Sequence, residues 1–213
     1  MPLLNVVIDV SHHNSVASFH EVKAAGIVGV IHKATQGTGY EDPEYGQHRV
    51  RALSVDLFWG AYHFGTRGDV AGQVEHFLNV VNPGPTDLLV LDWEPNPQDR
   101  TMTLAEAEEF VQRLRNAVGR FPILYSGQGF IREKLGNRAP NQTVLSDCPL
   151  WIARYSSQAP KVPPAFPTFT MWQYTDGGLG PQPHQVPGIG RCDRDKFNGD
   201  EAALRRLWGR ADG

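Results

Sequence analysis

The sequence predicts an α/β fold, specifically a single-domain, modified TIM-like barrel of the (β/α)5(β)3 type. Eight short β-rich runs recur along the chain, and helix-like segments follow only the first five of them. Alternation of strands and helices implies a parallel sheet. The later connections, residues 156–168 and 175–189, are rich in proline and glycine. Such connections cannot be regular helices, so the last three strands should be joined by loops.

The eight predicted strands are runs of apolar and β-branched residues, most of which end in a polar or aromatic side chain. They span residues 6–9, 29–33, 58–64, 88–94, 122–125, 150–155, 170–174 and 190–193. Helices are predicted over residues 15–25, 43–54, 69–81, 103–118 and 128–135, with a closing helix over 200–208. Asp69 is a predicted helix cap, and Thr103 with Glu106 fits a capping box at the start of the longest helix.

Composition excludes several classes of protein. The chain has 213 residues and a formal net charge of −3, without a basic run, so we expect no nucleic-acid partner. No stretch approaches the ~20 apolar residues that a membrane span needs, so we expect no membrane insertion. The first residues lack a basic region and their apolar run is interrupted by Asp9, so no signal peptide is predicted. Cys148 and Cys192 allow at most one disulfide, and we expect both to be free thiols because the barrel should hold them too far apart.

Asp92 and Glu94 are the most informative residues of the chain. They end an apolar run between Pro85 and Pro95, which is typical of a buried parallel strand. Residues i and i+2 of a strand face the same side, with Cα atoms roughly 6–7 Å apart. Two carboxylates that close, beside a hydrophobic wall, cannot both ionise at their ordinary pKa values. A carboxylic acid kept protonated beside a second carboxylate is suited to cleaving a glycosidic bond, although two solvated acids at a strand end remain the alternative.

Other polar residues lie at the ends of the predicted strands, where the chemistry of such barrels collects. Asp9 and Asp193, on the first and last strands, should be neighbours because the barrel closes. Lys33, Tyr62 and Tyr125 are further candidates for the site. An aromatic ring that carries a hydrogen-bonding group can stack on a sugar and also bond to it. We therefore predict substrate contacts for Tyr62 and Tyr125, and also for Trp172. Trp151 stays undecided, and Lys33 is either a partner of a site carboxylate or a solvated surface residue.

The histidines suggest a metal site, but their spacing argues against one. His12 and His13 are adjacent on an extended segment and should face opposite ways. His32 and His63 alternate with Lys33 and Tyr62, so they should point outward into the helix layer. A metal site needs three or four converging ligands. We therefore predict no metal and no cofactor.

Short motifs along nearly the whole chain resemble those of the family-25 glycoside hydrolases, the muramidases often called Chalaropsis-type lysozymes. The matching segments, from one end to the other, are residues 9–14, 32–37, 60–64, 91–94, 122–125, 150–155, 172–174 and 193–197. Three positions depart from the usual pattern of the family. Asp195 stands where Asn is usual, Asn14 where Gln is frequent, and Trp93 where a smaller residue is frequent. Trp93 should point away from the barrel lumen.

The resemblance implies an activity and a set of roles. The enzyme would cleave the β-1,4 bond between N-acetylmuramic acid and N-acetylglucosamine in peptidoglycan. It would be a monomer that binds the glycan strands of peptidoglycan and acts at the bacterial cell wall. Glu94 would be the general acid that protonates the leaving oxygen and later the base that activates water. Asp92 would stabilise the positive oxazolinium formed by the substrate's own acetamide. Asp9 and Asp193 would support the site electrostatically.

Two alternatives remain open. One is a chitinase-like hydrolase of N-acetylglucosamine polymers, although the positions that carry extra acids in such enzymes are Leu88 and Val90 here. The other is a non-catalytic barrel that binds peptidoglycan, against which the complete set of four acids argues.

Overall fold

The computed structural model of the protein describes residues 3–98 and 100–210, so the first two residues, on which part of the leader-sequence expectation depends, lie outside it. In chain order the strands are β1 (Leu4–Val10), β2 (Gly29–Gln36), β3 (Tyr40–Glu41), β4 (Phe58–Phe64), β5 (Leu88–Asp92), β6 (Ile123–Gly127), β7 (Leu150–Ala153), β8 (Met171–Thr175), β9 (Gln185–Val186), β10 (Gly190–Arg191) and β11 (Asp193–Phe197). The helices are α1 (Phe19–Ala24), α2 (Tyr45–Leu53), α3 (Val70–Val81), α4 (Leu104–Val118), α5 (Gln128–Leu135) and α6 (Glu201–Leu207).

Eight of the strands close into the predicted barrel. Seven of them, β1, β2 and β4 to β8, pair in parallel from one neighbour to the next. Strand β11 closes the barrel by pairing antiparallel with both β8 and β1. Residues 154–200, all of them described, contain no α-helix. This confirms that the proline- and glycine-rich connections join the last strands without helices.

The position predicted for the last strand is wrong. Residues 190–191 form β10, which pairs with β9 in a small hairpin, and the closing strand begins only at Asp193. Four of the five residues of β11 are charged, so its sequence lacks the apolar pattern of a strand. Asp193 therefore starts an antiparallel strand and does not end a parallel one. Because β11 runs the other way, its start lies at the barrel edge where the parallel strands end, and Asp193 pairs with Asp9 as expected.

Helix ends follow the local signals of the sequence. The Thr103 side chain accepts a hydrogen bond from the Glu106 backbone and the Glu106 side chain bonds back, which confirms the capping box of α4. Asp69 caps α3 by accepting from the backbone of Gly72. Helix α1 is shorter than predicted because Ser18 caps it.

The apolar core has two layers, one inside the barrel and one between the strands and the helices. Helix α6 closes one end of the barrel, where the Trp208 indole donates to the backbone oxygen of Trp59 at 2.9 Å. The layer inside the barrel is built mainly by Val7, Ile31, Phe58, Leu88, Val90, Ile123, Trp151, Met171, Phe197 and Trp208. The lower lumen is thus filled with apolar side chains, and polar groups are left for the opposite end. Cys148 and Cys192 are buried free thiols, as predicted. Among the described residues, no helix combines the length and hydropathy of a membrane span.

Candidate active site

Alternation along β5 directs the two predicted catalytic carboxyls into the barrel. Val90 belongs to the inner apolar layer, whereas Leu91 and Trp93 belong to the outer one. Asp92 and Glu94 continue the inner series, and both line the same pocket. Strand β5 itself is buried at all of its positions, as expected for a parallel strand covered on both faces.

Trp93 faces away from the lumen, as predicted. Its indole nitrogen donates to the backbone oxygen of Met102 at 2.9 Å, and its ring packs edge-on against Phe130. Because this large side chain is anchored in the helix layer, it fixes the backbone between the two carboxyl-bearing residues.

The pocket at this end of the barrel has a volume of about 160 Å³ and is lined by acids, tyrosines, one tryptophan and one glutamine. The lining residues are Asp9, Tyr62, Asp92, Glu94, Tyr125, Trp151, Tyr155, Gln173 and Asp193. All four acids predicted from the sequence therefore meet in one place. They come from the end of β1, the end of β5 and the start of β11, which are brought together by closure of the barrel.

Burial raises the pKa of both carboxyls at the end of β5. For Asp92 the negative charge of Glu94 adds to the effect, and the pKa lies well above its usual range. For Glu94 burial is again the first cause, and the positive charge of Lys33 opposes it. Within the described part of the chain, Asp92 Oδ1 is buried without a hydrogen-bond partner. An acid pair whose pKa values are raised and that keeps an oxygen available can exchange protons with a bound molecule.

The opposite wall of the pocket is organised by Gln173, which sequence reasoning missed. Its amide nitrogen donates to Asp9 Oδ2 at 2.8 Å and to Asp193 Oδ2 at 3.4 Å. Its amide oxygen accepts from the hydroxyls of Tyr125 at 2.8 Å and Tyr155 at 3.1 Å. One side chain thus ties together two acids and two tyrosines.

The acids of this wall also hold protons more tightly than usual. Burial raises the pKa of Asp9 well above its ordinary range, and the neighbouring charge of Asp195 adds to this effect. Burial and the charge of Asp9 raise the pKa of Asp193 to about 9. Asp195 is fully buried and accepts a hydrogen bond from Trp151 Nε1 at 2.8 Å.

The predicted substrate-binding residues divide into two groups. Tyr62 and Tyr125 line the pocket. Lys33 lies beside it: its Nζ bonds Gln36 Oε1 at 2.8 Å, and its charge reaches both carboxyls at the end of β5. Burial lowers the pKa of Lys33, and Asp92 opposes that shift. Lys33 is thus a half-buried neighbour of the acid pair.

The structure does not bring Trp172 to the pocket. Its indole nitrogen donates to the backbone oxygen of Arg154 at 2.8 Å, and Lys196 Nζ lies 4.9 Å from the centre of its ring. Trp151, which the sequence left undecided, lines the pocket in its place. A signal was present in the sequence: in residues 172–174 a lone polar side chain stands between two aromatic ones, and on a strand the polar residue faces the polar lumen. That residue is Gln173.

The histidines on the strands point away from the lumen, as predicted. His32 Nε2 lies 2.9 Å from His48 Nδ1 in the helix layer, and His63 Nδ1 lies 2.7 Å from Thr35 Oγ1. Burial lowers the pKa of His32 to about 4 and that of His63 to about 3, so both rings are neutral near pH 7. In residues 3–98 and 100–210, no cluster of three or more His, Cys, Asp or Glu side chains has a geometry that would hold a metal ion.

Known proteins are similar to this chain in both sequence and fold. The family model "Glycosyl hydrolases family 25" matches residues 8–182. Lysozyme M1 of Streptomyces globisporus is 31% identical over 219 residues, which cover 94% of this chain and 70% of that protein. The N,O-diacetylmuramidase of a Chalaropsis species is 27% identical over 185 residues, covering 79% of this chain and 86% of that protein. The crystal structure of the bacterial lysozyme from Streptomyces coelicolor aligns with a TM-score of 0.84 at 29% identity, covering 96% of this chain and 97% of that one.

Proposed function

The chain belongs to glycosyl hydrolases family 25 and is a hydrolase of the lysozyme type, and we propose that its carboxyl-lined pocket cleaves the β-1,4 bond between N-acetylmuramic acid and N-acetylglucosamine in peptidoglycan. The observation that carries this proposal is the placement of Asp92 and Glu94 in one pocket, where burial raises the pKa of both. Glycoside hydrolysis needs a protonated acid beside a second carboxyl group.

Glu94 is assigned as the general acid that protonates the leaving oxygen, and afterwards as the base that activates water. Burial raises its pKa and so favours the protonated form that the first step requires. Glu94 is less enclosed than Asp92, which is 6% exposed, so its carboxyl group is the one of the pair that solvent and substrate reach more easily.

Asp92 is assigned to the substrate's 2-acetamido group. It lies two residues from Glu94 on the same side of the chain, so it is poorly placed to attack the sugar from the opposite face. The acetamide oxygen instead attacks the anomeric carbon and forms an oxazolinium. Its positive charge lowers the raised pKa of Asp92 and is stabilised by the resulting carboxylate. Its partnerless Oδ1 is available to accept a hydrogen bond from the acetamide N–H. Such substrate assistance predicts retention of the anomeric configuration.

The remaining pocket residues bind and orient the sugar. Asp9 and Asp193, held by Gln173, offer carboxyl groups to sugar hydroxyls. Tyr62 and Tyr125 offer ring faces and hydroxyls, and Lys33 balances the charge of the acid pair. We assign no direct substrate contact to Trp172, because its indole bonds to the backbone of Arg154 outside the pocket.

Residues 1–213 would act as one catalytic domain, as a monomer and without a metal or cofactor, on peptidoglycan strands of the bacterial wall and not on nucleic acid. A chitinase-like activity is the second candidate, since such enzymes also combine paired acids with an acetamide nucleophile. The apolar Leu88 and Val90 upstream of Asp92 disfavour it.

Two parallel assays test the assignment. Turbidity of bacterial cell walls and hydrolysis of chitin oligomers would be followed with the same enzyme preparation. We expect clearing of the walls and little turnover of the oligomers. Preferred cleavage of chitin oligomers would favour the chitinase-like alternative, and wall binding without clearing would favour the non-catalytic barrel.

A further inference from the structure

Strand β11 carries a third buried carboxyl that the proposed reaction does not use. Asp195 is 0% exposed and stands opposite Val7 of β1 and Gln173 of β8. Its Oδ1 accepts the 2.8 Å hydrogen bond from Trp151, whereas its Oδ2 is buried without an N–H or O–H donor among the described residues. A buried oxygen without a donor is costly, and its immediate surroundings should supply one.

The available donor is another acid. On the paired strands β1 and β11, Asp9 stands opposite Asp193, and Asp195 stands opposite Val7, two residues before Asp9, so the three carboxyls share one face of the pair and act on one another. Two carboxyl groups can form a hydrogen bond only when one of them carries a proton. The three acids therefore form a row, with Asp9 in the middle and its two neighbours on β11.

Building on the proposed function, we propose that Asp195 is a positioning residue that holds Asp9 in the pocket wall through one shared proton, so that loss of this proton at alkaline pH lowers activity. When the proton is present, Asp9 is held by Asp195 and by Gln173. When it leaves, two buried carboxylates face each other, and their repulsion displaces Asp9 from the groups that orient it.

The surroundings of the row favour a retained proton. Burial raises the pKa of Asp9 and Asp195 well above the usual range, and raises that of Asp193 to about 9. Arg194 acts in the opposite direction on Asp195, although its guanidinium is directed to Gln185 and Asn5. The titratable groups that interact with the row also include Asp92, Glu94, Asp176, Cys192, Tyr62, Tyr125, Tyr155 and Tyr174.

The decisive variant is Asp195→Asn, examined by its pH–activity profile on cell walls. Asparagine keeps an oxygen for Trp151 and gives Asp9 an N–H donor that does not titrate. We expect equal activity of variant and wild type on the acid side. On the alkaline side the wild type should fail first, so that at one pH unit above its midpoint the variant is about tenfold more active. Asp147→Asn, which removes one exposed carboxylate remote from the pocket, should leave the profile unchanged.

Thermal unfolding of the same variants provides a readout that does not need substrate. A buried carboxyl with a raised pKa keeps a proton that the unfolded chain releases above pH ~4, so folding stability falls as pH rises toward the folded-state pKa. Asp195→Asn removes part of this loss. The difference in Tm between the variant and the wild type should therefore grow with pH in favour of the variant.

Each outcome has a defined meaning. If the wild type and Asp195→Asn lost activity at the same alkaline pH, the positioning role of Asp195 would be overturned, whatever the Tm values are. A Tm difference that does not change with pH would overturn the shared proton. A wild-type protein without lytic activity at any pH would refute the proposed function, and the Tm comparison would still test the shared proton separately.

Discussion

The two walls of the pocket contain the same kind of residue but differ in how their carboxyls are bonded. On the β5 wall, Asp92 has an oxygen without a hydrogen-bond partner among the described residues. On the wall of β1 and β11, Asp9 and Asp193 are bound by Gln173. Burial raises the pKa on both walls, so the pKa direction does not distinguish them.

The difference in bonding indicates which acids react and which form the framework. A carboxyl already tied by protein donors is held in one geometry, and moving it breaks buried hydrogen bonds. A carboxyl that lines the pocket and has an unpaired oxygen, as Asp92 does, can form its bond with the substrate. We therefore expect substitutions on the β5 wall to act on the chemical step, and substitutions on the opposite wall to act on stability together with activity.

The largest effect is expected for Glu94→Gln. The amide is nearly isosteric but cannot donate an acidic proton, so wall lysis should fall on the order of 10²- to 10⁴-fold. Turbidity clearing measures the loss, and circular dichroism with a Tm measurement checks that the fold is intact. Near-normal lysis by the folded variant would show that Glu94 is not the acid.

Asp92→Asn should be the next most harmful change. A neutral amide can still bind the acetamide N–H through its oxygen, but it cannot balance the positive oxazolinium, so activity should fall on the order of 10²-fold. A thiazoline mimic of the oxazoline should inhibit the wild type and bind this variant more weakly. Equal inhibition of both proteins would show that Asp92 does not interact with the acetamide group.

On the opposite wall, Gln173→Leu should lower stability and activity together. Leucine fills a similar volume but removes the donors to two acids and the acceptor for two tyrosines, so the free energy of unfolding should fall by about 1–3 kcal/mol. Urea unfolding measures this change. Gln112→Leu, at an exposed helical pair with Asn116, is the matched control and should remain within about 0.5 kcal/mol of the wild type. If Gln173→Leu lost activity without losing stability, the division between the two walls would be wrong.

The smallest effect is expected from chelation. The strand histidines are held in the helix layer and the pocket is lined by acids and aromatic residues, so prolonged EDTA treatment should leave lysis unchanged. Recovery of a chelated, inactive sample by added zinc would show that a metal contributes to the site after all.

Much of the barrel could be predicted because its parallel strands and helices carry local signals. The apolar run that ends at Asp92 has the length of a strand and the composition of a buried one, and the capping box at Thr103 marks the start of α4. The four acids of the site could be found because barrel closure brings strand ends together.

The closing strand and the framework of the site could not be predicted as well, for two physical reasons. Strand β11 is almost entirely charged, and its burial depends on partners far away in sequence, such as Asp9 and Trp151. The choice between Trp151 and Trp172 depends on which face of each strand meets the lumen, and a shift of one residue reverses it. For β8, the polar Gln173 between two aromatic residues marks the face that meets the lumen, and this signal was missed.

The stereochemistry of the first product tests the roles assigned to Asp92 and Glu94 most directly. Proton NMR of the reducing end, recorded before mutarotation, reports the anomer that the enzyme releases. If Asp92 stabilises an oxazolinium formed by the acetamide while Glu94 acts as acid and then base, the first-formed anomer is the retained one. An inverted first product would contradict this account, because Asp92 or another acid would then have activated water for direct displacement.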